Sequence, residues 1–62
     1  MSESEKEFIH SLLGNAFWMA EQHDTNSYNQ PTEEQRQYEL GMSKAYCEMC
    51  NAFQRMLDSN SN

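Results

Sequence analysis

Apolar residues recur along the second half of the chain with the step of a helix. Tyr38, Met42, Ala45, Met49, Ala52 and Met56 lie 4, 3, 4, 3 and 4 residues apart, the repeat of one seam on an α-helix. Tyr46, Phe53 and Leu57 lie beside that seam, with Cys50 at its edge. Together they widen the apolar arc to nearly half the helix circumference. The first half carries a similar face, made of Phe8, Ile9, Leu12, Leu13, Ala16, Phe17, Met19 and Ala20. Within it Ile9, Leu12, Ala16, Met19 and His23 step by 3 and 4. The pattern predicts two amphipathic helices and contains no alternating stretch that reads as a strand.

The polar residues between these faces set the boundaries. Ser2 precedes Glu5 by three residues and Ser4 precedes Glu7 by three, so either serine can cap a helix with its glutamate reciprocating. The first helix is placed over about residues 4–23, ending near His23 or Asp24. The stretch from Asp24 to Pro31, rich in Asn, Ser and Asp, reads as a turn-forming connector. Pro31, Thr32 and Gln35 mark the next start: Pro31 resists inclusion in a preceding helix, Thr32 caps and Gln35 reciprocates. The second helix is placed over about 32–58, and residues 59–62, with nothing apolar to bury, read as a flexible tail. Residues 1–62 are then one all-α domain, an antiparallel helical hairpin.

Each arc is too wide for its sibling helix to cover. Ala16, Ala20, Ala45 and Ala52 permit close approach of the pair, which leaves Phe8, Leu13 and Phe17 on one helix and Tyr46, Phe53 and Leu57 on the other exposed at the flanks. Two hairpins packed face to face, as a homodimeric four-helix bundle, resolve this. The expected core and dimer positions are Ile9, Leu12, Leu13, Ala16, Met19, Met42, Ala45, Tyr46, Met49, Phe53, Met56 and Leu57. Length points the same way, because a lone core in 62 residues is marginal and small domains usually add a staple, a metal or a partner.

Charge narrows the function classes. Ten acidic residues face four basic ones, for a formal charge of −6. Lys6, Arg36, Lys44 and Arg55 are scattered, whereas direct binding to a nucleic-acid backbone or an anionic membrane requires clustered cations. No apolar run approaches a membrane span and no basic-then-apolar leader is present, so a cytoplasmic location with reduced thiols is expected. Glu3, Glu5 and Glu7 bunch at one helix start, and Glu33, Glu34 and Glu39 at the other. Helix capping and solubility explain both groups; mimicry of a nucleic acid, blocking a DNA- or RNA-binding enzyme, is the alternative they raise.

Candidate chemistry is sparse. Trp18 falls away from the apolar arc at about 100° per residue, among polar neighbours, with Gly14 one turn before it. A tryptophan so placed reads as a partner anchor, with Phe17 extending the patch, Gly14 giving clearance and Glu21 forming a polar rim. Cys47-Glu48-Met49-Cys50 is a single CxxC. If the hairpin folds about the middle of the connector, Cys47 lies level with Phe8 and close to His10, so Cys47, Cys50 and His10 form a candidate zinc set. The commoner meaning of such a pair is structural, with Cys50 packed at the core edge and Cys47 half exposed, and no cofactor is expected. His23 reads as a structural histidine at a helix C-terminus. No nucleophile–base motif or phosphate loop is present, and the chain is too small for a deep pocket. The expectation is a small acidic, non-enzymatic protein-binding module, an inhibitor or adaptor of the phage or mobile-element accessory type. Its partners would be a second copy and a larger protein, and a structural zinc-binding bundle is the further alternative.

Overall fold

The structure is a computed structural model and describes residues 1–59. Two helices, α1 (Glu3–Ser27) and α2 (Glu33–Ser59), pack antiparallel as a hairpin with Cα extents of 46 × 15 × 10 Å.

Local chemistry accounts for both starts. Of the two serines that could cap α1, Ser2 does so. The Glu5 backbone N–H donates to Ser2 Oγ at 3.2 Å and the Ser2 N–H donates to Glu5 Oε1 at 3.0 Å, a complete capping box. The Ser2 backbone N–H, and after it the Ser2 hydroxyl, hold the Glu5 carboxyl below its ordinary pKa. At α2 the Gln35 N–H donates to Thr32 Oγ1 at 3.1 Å. The Gln35 side chain meets the Thr32 hydroxyl rather than the Thr32 backbone, so the reciprocal half of that box is made side chain to side chain.

The end of α1 differs from expectation. The helix continues past Asp24 to Ser27, because residues 24–27 contain neither Gly nor Pro to stop it. Ser27, expected to sit in a turn, donates its hydroxyl back to the Asp24 carbonyl at 2.6 Å and is almost wholly buried. The chain then tightens, with Tyr28 and Asn29 N–H groups bonding three residues back to Thr25 and Asn26. The connector is thus residues 28–32, five residues instead of the eight expected. At the other end Ser59 closes α2, its hydroxyl bonded to the Met56 carbonyl. Residues 60–62 of the expected tail lie outside the described residues.

The longer α1 shifts the register. Ser43 Oγ donates to the Ala20 carbonyl at 2.9 Å, Cys50 Sγ to the Leu13 carbonyl at 3.8 Å, and His23 Nδ1 to Glu39 at 2.6 Å. Each α1 residue therefore meets α2 about two helical turns later than a mid-connector fold implies. Along α1 the inward line is Ile9, Ala16, Ala20 and Ser27, all buried. Along α2 the inward line is Glu39, Ser43, Tyr46, Cys50, Phe53 and Leu57, which also step by 4 and 3.

That second line overturns a packing expectation. The more apolar seam, from Tyr38 to Met56, does not face α1: Tyr38 is 65% exposed, Met49 44% and Met56 45%. The physical reason is satisfaction of polar groups. Small α1 residues let α2 come close, and Ser43 and Glu39 find partners on α1. The polar positions of the inward line thereby lose the penalty they would carry unpaired.

Candidate functional site

The hairpin leaves two separate surfaces. On α1, Trp18 lies diametrically opposite the Ile9–Ala16–Ala20–Ser27 line at 100° per residue, and it is 57% exposed. Gly14 sits one turn earlier, and a Cβ built there would meet no atom within 4 Å, so open space adjoins the indole. Phe17, 59% exposed, turns toward one side of the hairpin. There it lines an open hollow with Ala20, Glu21, Asp24, Ser43 and Cys47. The structure thus brings Phe17 and Glu21 together in one hollow and sets Trp18 and Gly14 around the back of α1.

The other side carries a more apolar groove, lined by Phe8, Ile9, Leu12, Phe53 and Met56 with Ser4 and Glu5 at its rim. Phe8 is 65% exposed there. Phe8 and Phe17, read from the sequence as one uncovered flank with Leu13, point to opposite sides because nine residues amount to two and a half helical turns. The groove shares Met56 with the seam of Tyr38, Met42, Ala45, Met49, Ala52 and Met56, in which Met42 and Ala52 are half-buried and the others exposed. Of the other expected core positions, Ile9, Ala16 and Leu57 are buried, Leu12, Leu13, Met19, Tyr46 and Phe53 are half-buried, and Ala45 is exposed.

Between the surfaces sits a polar cluster that sequence reasoning found only in part. His23 Nδ1 donates to Glu39 Oε2 at 2.6 Å, with both side chains under a fifth exposed. The imidazole also stacks on Tyr46, centroids 5.7 Å apart and planes 9° from parallel. His23 does not stand at the helix terminus, since α1 continues to Ser27, so a carboxylate across the hairpin takes the place of the expected helix dipole. Glu39 lies on the inward 4–3 line of α2, which only the tertiary register separates from the more apolar seam beside it.

The cysteines occupy different settings. Cys47 is exposed beside Phe17, while Cys50 is half-buried against the Leu13 carbonyl. Burial pushes the Cys50 thiol pKa up, and the neighbouring Cys47 adds to the rise. The observed register sets Cys47 level with Asn15 and Ala16, about one and a half turns beyond His10, so the expected level pairing of Cys47 with Phe8 and His10 does not hold. Among the described residues no group of three or more His, Cys, Asp or Glu side chains is arranged to hold a metal ion.

Many acids already have local partners. Glu3 pairs with Lys6 at 3.5 Å and Glu33 with Arg36 at 2.8 Å. Gln37 and then Arg36 hold the Glu33 carboxyl below its ordinary pKa. No helix among the described residues is long and apolar enough to cross a membrane. Comparison with protein-family models, with curated proteins and with solved structures finds no match, which leaves these residues and their geometry as the basis for a functional reading.

Proposed function

We propose that this chain is a small acidic, non-enzymatic protein-binding module of the cytoplasm that self-associates and docks on a larger protein as an inhibitor or adaptor. The observation that carries the reading is Trp18. It is more than half exposed on the outer face of a helix, beside the open space at Gly14. A rigid helix presenting an indole loses little entropy on binding, and aromatic anchors of this kind supply a large share of interface energy. Phe17 and the hollow it shares with Glu21 extend the contact toward one side.

Mimicry of nucleic acid is less well supported. The two acidic groups sit at opposite ends of a 46 Å hairpin, and Glu3, Glu5, Glu33 and Glu39 are engaged in caps or pairs. A zinc-centred bundle lacks the His10 ligand once the register is set.

The test is capture of targets by proximity crosslinking, followed by titration of the purified pair. Trp18→Ala is expected to weaken binding at least tenfold with helix content and melting unchanged. Retention of full affinity by that variant sinks the docking site, and collapse of binding with added salt instead favours the mimic.

A further inference from the structure

We infer that the open methionine face is a homodimer interface, in which α2 packs antiparallel against α2 of a second copy about a two-fold axis passing beside Asn15. The inference rests on the self-association included in the proposed function, and it assigns the face, the direction and the register.

The order of side chains on the outward seam carries the direction. From Tyr38 to Met56 it reads Tyr, Met, Ala, Met, Ala, Met. Laid antiparallel on itself, Tyr38 meets Met56 of the second copy, Met42 meets Ala52, and Ala45 meets Met49. The four inner layers then set a large side chain against a small one, which lets the layers interdigitate at the density of a protein interior. A parallel alignment stacks Ala on Ala and Met on Met, leaving gaps in some layers and crowding in others.

The register set by the α2 seam carries across to α1. The antiparallel seam is centred beside Cys47, midway between Ala45 and Met49. The contacts of Ser43 with Ala20 and of Cys50 with Leu13 place that level beside Asn15 and Ala16 on α1. Phe8 and Leu12 line the groove on this side, and Asn15 and Met19 continue their helical step of 4, 3 and 4. The axis that pairs Ala45 with Met49 therefore also pairs Leu12 with Met19 of the second copy and sets Asn15 beside its own twin. One axis satisfies both helices, and a lone polar residue in a central layer is a known means of fixing register.

The area fits as well. A face with Cα extents of 46 by 15 Å covers roughly 700 Å² before side chains are added, close to the ~800 Å² per partner of a standard interface. The isolated chain exposes 4637 Å², more than the roughly 4,200 Å² expected of a compact monomer of its mass. Neither seam carries a charged residue, and Trp18 and Phe17 stay outside the interface.

Sedimentation equilibrium of the full, reduced chain at micromolar concentration reads the state, with Ala45→Glu and Trp18→Ala alongside. A dimer for the wild type and for Trp18→Ala, reduced to monomer by Ala45→Glu at an exposed site, is expected. Short bismaleimide crosslinking in a Cys47→Ser, Cys50→Ser background reads the direction without relying on loss of fold. Asn15→Cys should form a covalent dimer, and Tyr38→Cys should not, because the two copies of position 38 lie about 27 Å apart along the axis. A wild-type monomer, a dimer indifferent to Ala45→Glu, or crosslinking at Tyr38→Cys but not Asn15→Cys overturns the inference. If any of these occurs while Trp18→Ala still abolishes target binding, the dimer fails and the docking reading survives. If Trp18→Ala leaves target binding intact in a dimer that behaves as expected, the docking reading fails alone.

Discussion

His23 couples the two helices through chemistry that neither helix could satisfy by itself. Its ring is fixed from two directions, by the Glu39 carboxylate at 2.6 Å and by the parallel face of Tyr46. A short bond to a carboxylate, largely shielded from water, belongs with charge-assisted hydrogen bonds worth about 1.5–3 kcal/mol. Glu39→Ala removes the acceptor and leaves a ring N–H without its partner at a site under a fifth exposed. The expected loss is about 1.5–3 kcal/mol, read as a shift in the urea midpoint at unchanged slope. Glu39→Gln retains an acceptor at nearly the same position and should lose less. Equal losses for the two variants would mean that a neutral acceptor of the same shape recovers nothing, so that the charge of the Glu39 carboxylate carries the whole effect.

At the scale of the helices, both glycines stand where a side chain would be tolerated. Neither Gly14 nor Gly41 has a positive φ, and a Cβ at either would meet nothing within 4 Å. Each therefore carries the entropic cost of helical glycine with no steric return, about 0.5–1 kcal/mol relative to alanine. Gly41→Ala and Gly14→Ala are each expected to raise stability by that amount in thermal unfolding followed by circular dichroism. Gly14→Ala should also weaken target binding if the space beside Trp18 is used, whereas a fall in stability for either would contradict an uninterrupted helix. The existence of both helices was legible in the sequence because its causes are local: the 4–3 spacing, Ser2 with Glu5, and Thr32 with Gln35. The end of α1 was not legible, because Asp24, Thr25, Asn26 and Ser27 suit a turn and a helix alike, and burial of Ser27 decides between them. The inward line of α2 was hidden for a related reason. Two 4–3 seams run side by side, and the less apolar one turns inward because Ser43 and Glu39 find partners on α1. That fact depends on tertiary register and leaves no trace in hydrophobic spacing. The same error of register placed His10 near Cys47, and Trp18, whose position depends only on helical phase, was read correctly as lying away from the apolar arc.

For the whole molecule, charge and apolar surface act in opposite directions, and solution conditions can separate them. Dimerisation through the methionine face would bring together two chains of formal charge −6 across seams that carry no charge of their own. Near the two-fold axis Glu48 would approach Glu48 of the second copy. Association then gains from apolar burial and loses from repulsion, and salt reduces the repulsion as the Debye length shortens from about 30 Å at 0.01 M to 10 Å at 0.1 M. The midpoint of thermal unfolding should therefore rise with added salt. It should also rise with protein concentration, since each tenfold increase favours the dimer by about 1.4 kcal/mol. Glu48→Gln should reproduce part of the salt effect at low ionic strength. A nucleic-acid mimic predicts the reverse dependence for its own complex, because its contacts with a basic target weaken as salt is added. Melting curves at two salt and two protein concentrations thus test one consequence of the interface without any target in hand. Midpoints independent of both would leave the methionine face without a second copy to cover it and the hairpin to stand on the few residues that α1 and α2 bury between them.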